Sequence, residues 1–330
     1  MSVYLPDKVP HARLKQYLLT GPVGVGRVGL VLSAIHEVDG QPRVLHVPYL
    51  RYQERLGFGP RYLSDALWAA TSGLEGFCLP IQCDCSDDLV FSVRTLLKGV
   101  SLKLIIRHMR ARRARISRRI ITSIGLQLAT ALHELHNTIA GEPGVPPCHG
   151  RINPGRVLLQ GDGSLSILGM PAPGGWMEGS WLTPLESTRL CELPPELLDG
   201  HPFTPASDIY QLCLLLYTMW VLHNPYDQHT RRGTLQAIFS GVPLLRDSMY
   251  LGQPLRELLL TGLADTPDQR PSMPQVIHLL KESLKEDGGP MLPQALAFTL
   301  QSSLPTRPPP PEPMLHPRDT EMLLSLLRSR

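Results

Sequence analysis

Residues 149–171, HGRINPGRVLLQGDGSLSILGMP, constrain this chain more than any other stretch. Two short apolar runs, Val157–Leu159 and Leu165–Leu168, flank Gly161-Asp162-Gly163. Glycine reaches left-handed backbone angles without a steric cost, so an apolar run, Gly-Asp-Gly and a second apolar run predict a β-hairpin. Ahead of the hairpin stands a polar loop, His149-Gly150-Arg151-Ile152-Asn153-Pro154-Gly155-Arg156. Behind it stands Gly169-Met170-Pro171.

Composition narrows the setting of this hairpin. A chain of 330 residues holds one two-lobed domain or two ordinary ones. Its 32 basic and 29 acidic side chains leave a net charge of +3, the signature of neither a general nucleic-acid binder nor an acidic solvating protein. The six cysteines stand at 78, 83, 85, 148, 191 and 213 without the regular spacing of a disulfide framework. That usage suits a reduced, cytoplasmic protein. The first residues, MSVYLPDKVPHARLK, carry no apolar core of signal-peptide length. No run of about 18 apolar residues occurs, so no membrane span is expected.

The loop, hairpin and Gly-Met-Pro together resemble the catalytic core of a protein kinase: H-R-D-L-K-P-x-N, a hairpin, then D-F-G. His149, Pro154 and the hairpin spacing match. The residues that carry the family's chemistry do not. Gly150 stands where the family has Arg, Arg151 where it has the catalytic Asp, and Asn153 where it has Lys. Arg156 replaces the metal-binding Asn, and Gly169-Met170-Pro171 replaces D-F-G. The resemblance thus implies a kinase scaffold whose catalytic positions, Arg151, Arg156 and Gly169, are degenerate.

Further motifs follow in order. Arg13 to Leu50 reads as three strands, with Asp39-Gly40 turning a hairpin. Gly24, Gly26, Gly29 and Val31 fit G-x-G-x-x-G-x-V. A dinucleotide site would need a helix after these glycines, whereas a strand and a hairpin follow here, the arrangement of a kinase nucleotide loop. The bland reading is that they only turn a hairpin. On the next strand, Val44-Leu45-His46-Val47-Pro48, the family's phosphate-gripping Lys position falls on Val47 or Pro48. Pro60 to Ser72 predicts a helix with Leu63, Leu67 and Ala70 on one face, and Asp65 is its candidate acid, read as a solvated carboxylate. Phe77–Cys83 and Leu89–Leu97 read as two more strands. Cys83-Asp84-Cys85 lacks the spacing and the second pair of a zinc site. Lys98–Leu102 resembles the family's hinge.

Arg107 to Arg119 holds seven arginines in thirteen residues, ahead of an amphipathic helix over Ile120 to His136. The run reads either as a solvated surface or as a docking patch for an acidic or phosphorylated partner. His133-Glu134-Leu135-His136 sets its histidines three apart, not the four of a zinc protease. A Gly/Pro-rich insertion, Asn137–Pro147, comes next, and a loop with Trp176 and Trp181 follows the hairpin. Glu196 stands in Leu-Pro-Pro-Glu, which resembles A-P-E. Asp208 opens a long apolar helix running to about Met219, and Arg270 resembles the family's partner of the A-P-E glutamate. That pair is expected to be buried. A helix over Gln275–Lys285 closes the domain. Pro305–Pro317 reads as a polyproline linker, and Asp319–Arg330 as a short amphipathic helix.

The resemblance covers about residues 12–286 and implies an α+β, two-lobed protein-kinase-like fold. A β-rich lobe with one helix would span 1–97, a helical lobe 98–287, and a Pro-rich tail 288–330. The implied function is a catalytically inactive pseudokinase that binds or scaffolds proteins in signalling. ATP would be a weak ligand at Gly24, Gly26 and Gly29 with no magnesium requirement. The rivals are an atypical serine/threonine kinase using substitute residues such as His149 and, more weakly, a nucleic-acid module using the arginine run.

Overall fold

The computed structural model describes residues 13–86, 89–139, 146–171, 189–241, 248–289 and 291. The Trp176–Trp181 loop, most of the insertion after Asn137, the Pro305–Pro317 stretch and Asp319–Arg330 lie outside the described residues. The chain is α+β and divides into two compact units. The first holds 13–73 and 78–97 of the described residues; the second holds 74–77 and 98–291.

Alternating apolar and polar residues build the first unit as an antiparallel sheet. In chain order its strands are β1 (Arg13–Leu14), β2 (Tyr17–Val25), β3 (Gly29–His36), β4 (Pro42–Pro48), β6 (Gln82–Ser86) and β7 (Leu89–Thr95), while the intervening β5 (Phe77–Cys78) belongs to a different sheet. The sheet order is β1-β2-β3-β4-β7-β6. Tyr17, Leu19, Leu30, Leu32, Leu45, Val47, Phe91 and Val93 fill its buried face. The three long strands expected between Arg13 and Leu50 form, with the two-residue β1 added ahead of them. The single strand expected over Phe77–Cys83 is instead two, because Pro80 sits between them and has no N–H to continue a ladder.

After the short α1 (Leu50–Gln53), helix α2 (Phe58–Thr71) packs on β6 and β7. Its buried residues are Phe58, Tyr62, Ala66 and Ala69, and Leu67 is 63% exposed. Of the predicted face, Leu67 is therefore turned into solvent, and Leu63 and Ala70 are half-buried. Two alanines on the inner face let the helix approach the sheet, and two aromatic rings fill the gap beside them; Phe58 and Tyr62 lie 5.6 Å apart. Asp65 is half-buried rather than fully solvated.

The second unit is mainly helical. Strands β8 (Gly99–Ser101), β9 (Val157–Gln160) and β10 (Leu165–Leu168) form a sheet of order β5-β10-β9-β8. The predicted hairpin is present, with Leu159 opposite Leu165, and Gly163 takes a φ of +87° in its turn. The helices are α3 (Leu102–Ala111), α4 (Arg118–Asn137), α5 (Pro195–Leu198), α6 (Pro205–Val221), α7 (Arg231–Phe239), α8 (Gln253–Gly262) and α9 (Met273–Glu286). On α4, Ile121, Ile124, Leu128, Leu132 and Leu135 are all buried, at the spacing of one helix face. Gly125 sits where α6 and α9 come closest to α4: a Cβ there would lie 3.0 Å from a Leu216 methyl and 3.1 Å from a Leu280 methyl. Helix α6 is buried on every side from Ser207 to Met219, the expected state of a helix apolar all round. No helix among the described residues is long and apolar enough to cross a membrane.

The arginine run does not open one helix. Arg107 and Arg110 belong to α3, Arg112 and Arg113 form its C-terminal turn, and only Arg118 and Arg119 start α4. Cations at the end of α3 favour its macrodipole, and only Arg118 and Arg119 stand at a helix start, where cations oppose it. Those two are compensated. Arg118 Nε donates to Asp287 Oδ1 at 2.9 Å, and Arg119 Nε donates to the Gly289 carbonyl at 2.8 Å.

Candidate functional site

The loop at 149–156 is positioned from below by two side chains of α6, one turn apart. Asp208 is fully buried, and its carboxylate accepts the backbone N–H of His149 at 2.8 Å and of Gly150 at 2.7 Å. It also pairs with His136 Nε2 at 2.9 Å. Gln211 accepts from Ile152 N at 2.9 Å and donates to the carbonyls of Gly150 and Glu192. A buried carboxylate stripped of water is tolerated only with such donors. His136, which the sequence offered only as a failed metalloprotease motif, is one of them. Gln211 passed unnoticed in the sequence; its spacing of three from Asp208 on a buried helix was the available signal.

Two guanidinium groups then close the loop onto the segment after the hairpin. Arg151, 5% exposed, donates from Nη2 to the Met170 carbonyl at 2.8 Å. Arg156 donates from Nη1 to the Leu168 carbonyl at 3.5 Å. Gly169 lies between these two acceptors with a φ of +124°, which disfavours any side chain. A Cβ at 169 would come 2.9 Å from Arg156 Nη1 and 3.2 Å from His149 Nε2. The second unit thus brings the three degenerate positions, Arg151, Arg156 and Gly169, into one cluster around buried His149.

Electrostatics follow from that packing. Burial holds the His149 imidazole well below its usual pKa, and the charges of Arg151 and Arg156 push the same way. It is therefore neutral at neutral pH. Burial raises the Glu192 carboxyl above its usual range, against the opposing pull of Arg189, Arg156 and Lys103. Within 146–171 the one carboxylate is Asp162, in the exposed hairpin turn, where it accepts from Ser164 N and Ser164 Oγ. No carboxylate of this stretch reaches the arginine cluster, and Arg156 and Gly169 offer no side-chain oxygen to a divalent cation. Among the described residues, those at the matching positions do not fit the magnesium site that the resemblance implies.

A second arrangement lies in the same unit. Arg270 and Glu196 form the expected buried ion pair, with Nη1 to Oε1 at 2.8 Å and Nη2 to Oε2 at 2.7 Å. Ser207 Oγ donates to the same carboxylate at 2.7 Å. The guanidinium also donates to the carbonyls of Ala206 and Ala264 and lies 4.9 Å from the centre of the Tyr210 ring.

The glycines belong to the first unit, and each has a different local role. At Gly24 a Cβ would meet nothing within 4 Å. Gly26 N donates to the Gly29 carbonyl at 2.9 Å, which closes the turn between β2 and β3. At Gly29 a Cβ would strike the Val47 carbonyl at 2.3 Å. The turn is tied down by residues beyond β4: Tyr49 Oη donates to the Gly26 carbonyl at 2.7 Å, and Arg51 Nη2 to the Arg27 carbonyl at 3.0 Å. On β4, Val47 and Pro48 are buried, and the side chain directed at α2 is His46, whose Nδ1 lies 3.1 Å from Tyr62 Oη. Tyr62 Oη in turn donates to Ser92 Oγ at 2.9 Å. On β4 the side chain that meets Tyr62 of α2 is thus His46.

No family model matches this chain, and no curated protein matches it.

Proposed function

We propose that this chain is a protein-kinase-like module without phosphotransferase activity, acting as a protein-binding or scaffolding unit. One observation carries the reading. The space that a side chain at position 169 would occupy is filled by Arg156 and His149, and Arg151 is turned into the Met170 carbonyl. A kinase needs an oxygen ligand for its metal at the first position and a carboxylate facing the substrate hydroxyl at the second. Here guanidinium groups bridge the loop and the post-hairpin segment, a positive charge in each case. The supporting frame is complete by contrast: Asp208 braces the loop, and Glu196 and Arg270 are paired. Groups whose loss would strand a buried charge are present, and groups that serve only transfer chemistry are absent. Gly24 leaves room for a backbone approach to a phosphate, so ATP is kept in this reading as a weak ligand.

The test is phosphate transfer from radiolabelled ATP to the protein itself and to generic substrates, run beside thermal shifts with ATP. We expect background incorporation, and a small or absent shift that is the same with magnesium as with a chelator. Incorporation above background that disappears when Gly24 and Gly26 are both substituted would establish an atypical enzyme instead. A stabilisation by ATP that requires magnesium would mean a metal site outside this reading and would favour the atypical enzyme.

A further inference from the structure

The end of α3 and the turn after it carry four arginines with no side-chain partner among the described residues, Arg107, Arg110, Arg113 and Arg115, and all four are exposed. No Asp or Glu occurs between Asp88 and Glu134, whereas ten Lys and Arg do. The inner face of α3 is fixed by buried Leu102, Ile105 and Ile106, which directs Arg107 and Arg110, one turn apart, outward. The turn that follows is held by the backbone: Arg113 N donates to the Arg110 carbonyl at 3.1 Å, and Ala114 N to the Met109 carbonyl at 3.0 Å. Arg113 takes a φ of +53°, the left-handed helix-end conformation that glycine adopts without strain. The position nevertheless carries an arginine, in the turn between Arg110 and Arg115.

We propose that the outer face of α3 and its C-terminal turn form a docking ridge for an acidic protein segment, rich in aspartate and glutamate. Charge complementarity carries the choice of partner. The four guanidinium groups follow the helix and then the turn, so they meet charges spread along a segment rather than one convergent phosphate. Guanidinium also binds carboxylate in a two-pronged geometry that ammonium cannot match. A single-stranded nucleic acid would want aromatic platforms for its bases, and no Phe, Tyr or Trp occurs between Phe91 and Trp176. A membrane surface would want apolar side chains to insert beside the cations, and none of the large exposed hydrophobic residues lies between 98 and 119. The ridge names a partner class for the binding module proposed above, but its geometry lies wholly in the second unit and does not depend on the absence of catalysis.

Fluorescence anisotropy of the full chain with a labelled glutamate-rich peptide tests it. We expect binding that weakens at least tenfold between about 0.05 and 0.5 M salt, because exposed charges are screened over about 10 Å at 0.1 M. The fourfold variant R107E/R110E/R113E/R115E should lose at least tenfold in affinity at an unchanged melting temperature. Should that reversal lower the melting temperature, the R107Q/R110Q pair, which only neutralises, must still weaken binding severalfold. No binding at low salt, or equal binding by these variants, overturns the proposal. Tighter binding of a DNA duplex, a singly phosphorylated peptide or a phosphatidylserine vesicle than of the glutamate-rich peptide also overturns it. Phosphate transfer by the protein would refute the non-catalytic reading and leave this result untouched.

Discussion

Truncating Arg270 would strand the Glu196 carboxylate in the interior of the second unit, with Ser207 the one side chain among the described residues still donating to it. An uncompensated buried charge costs roughly 3–5 kcal/mol, so Arg270→Ala should unfold at much lower denaturant than the parent. Arg107→Ala, on an exposed and unpartnered side chain, should shift stability by less than about 0.5 kcal/mol. Equal midpoints for the Arg270→Ala and parent proteins in chemical denaturation would remove the pair from the stabilising core. His149 supplies a pH dependence of known sign. Its folded pKa is depressed by burial and by two guanidinium charges, so the unfolded chain takes up a proton first. The stability it confers is complete above the unfolded value of about 6.5 and is lost as pH falls from there towards the folded pKa, at about 1.4 kcal/mol per pH unit. The slope of stability against pH below 6.5 should therefore be shallower in His149→Gln than in the parent, and parallel slopes would show that the imidazole titrates normally. At this scale the sequence was informative where chemistry depends on identity alone. That Arg151, Arg156 and Gly169 cannot act as carboxylates is plain from their letters, whereas their convergence on His149 is not.

Among the elements, the three glycines between β2 and β3 share a motif and separate in consequence. Gly29 is fixed by β4, whose Val47 carbonyl would lie 2.3 Å from any Cβ, so Gly29→Ala must push two paired strands apart. Overpacking of this kind costs about 1–3 kcal/mol. Gly24→Ala meets open space and should leave the melting temperature within about a degree of the parent, a change under about 0.5 kcal/mol. A Gly29→Ala protein as stable as the parent would mean that β3 and β4 are not in the register that places Gly29 opposite Pro48. Element type and order were legible because hydrophobic period and turn residues are local signals. Helix faces were less so. The reading of α2 took its aliphatic residues for the buried face, but the sheet beneath accepts Ala66 and Ala69 at close range and leaves Leu67 in solvent. The arginine run gave no sign of two helices, yet a helix ends within it at Ala111 and another starts at Arg118, with Ser117 Oγ accepting from Ile120 N at the new start.

For the whole molecule, the sequence by itself determined the class: an α+β chain, most strands before Leu102 and most helices after it, a hairpin at 157–168, and a buried helix through Ser207–Met219. It also determined, residue by residue, which reactive groups the loop at 149–156 lacks. These follow from periodicity and from side-chain chemistry, which depend on neighbours along the chain. Only the tertiary structure decided where each group points and what answers it. His46 faces Tyr62, while Leu45 and Val47 on either side of it are buried, because alternate residues of β4 face opposite sides of the sheet. Asp208 is the common acceptor of His136, His149 and Gly150, whose positions span 136 to 208, and no local pattern links them. Arg151 and Arg156 bind carbonyls beyond the hairpin because its fold-back returns residues 168–170 to the loop that precedes it. Partners separated by many residues meet only through packing, so their pairing is a property of the fold and not of any stretch within it.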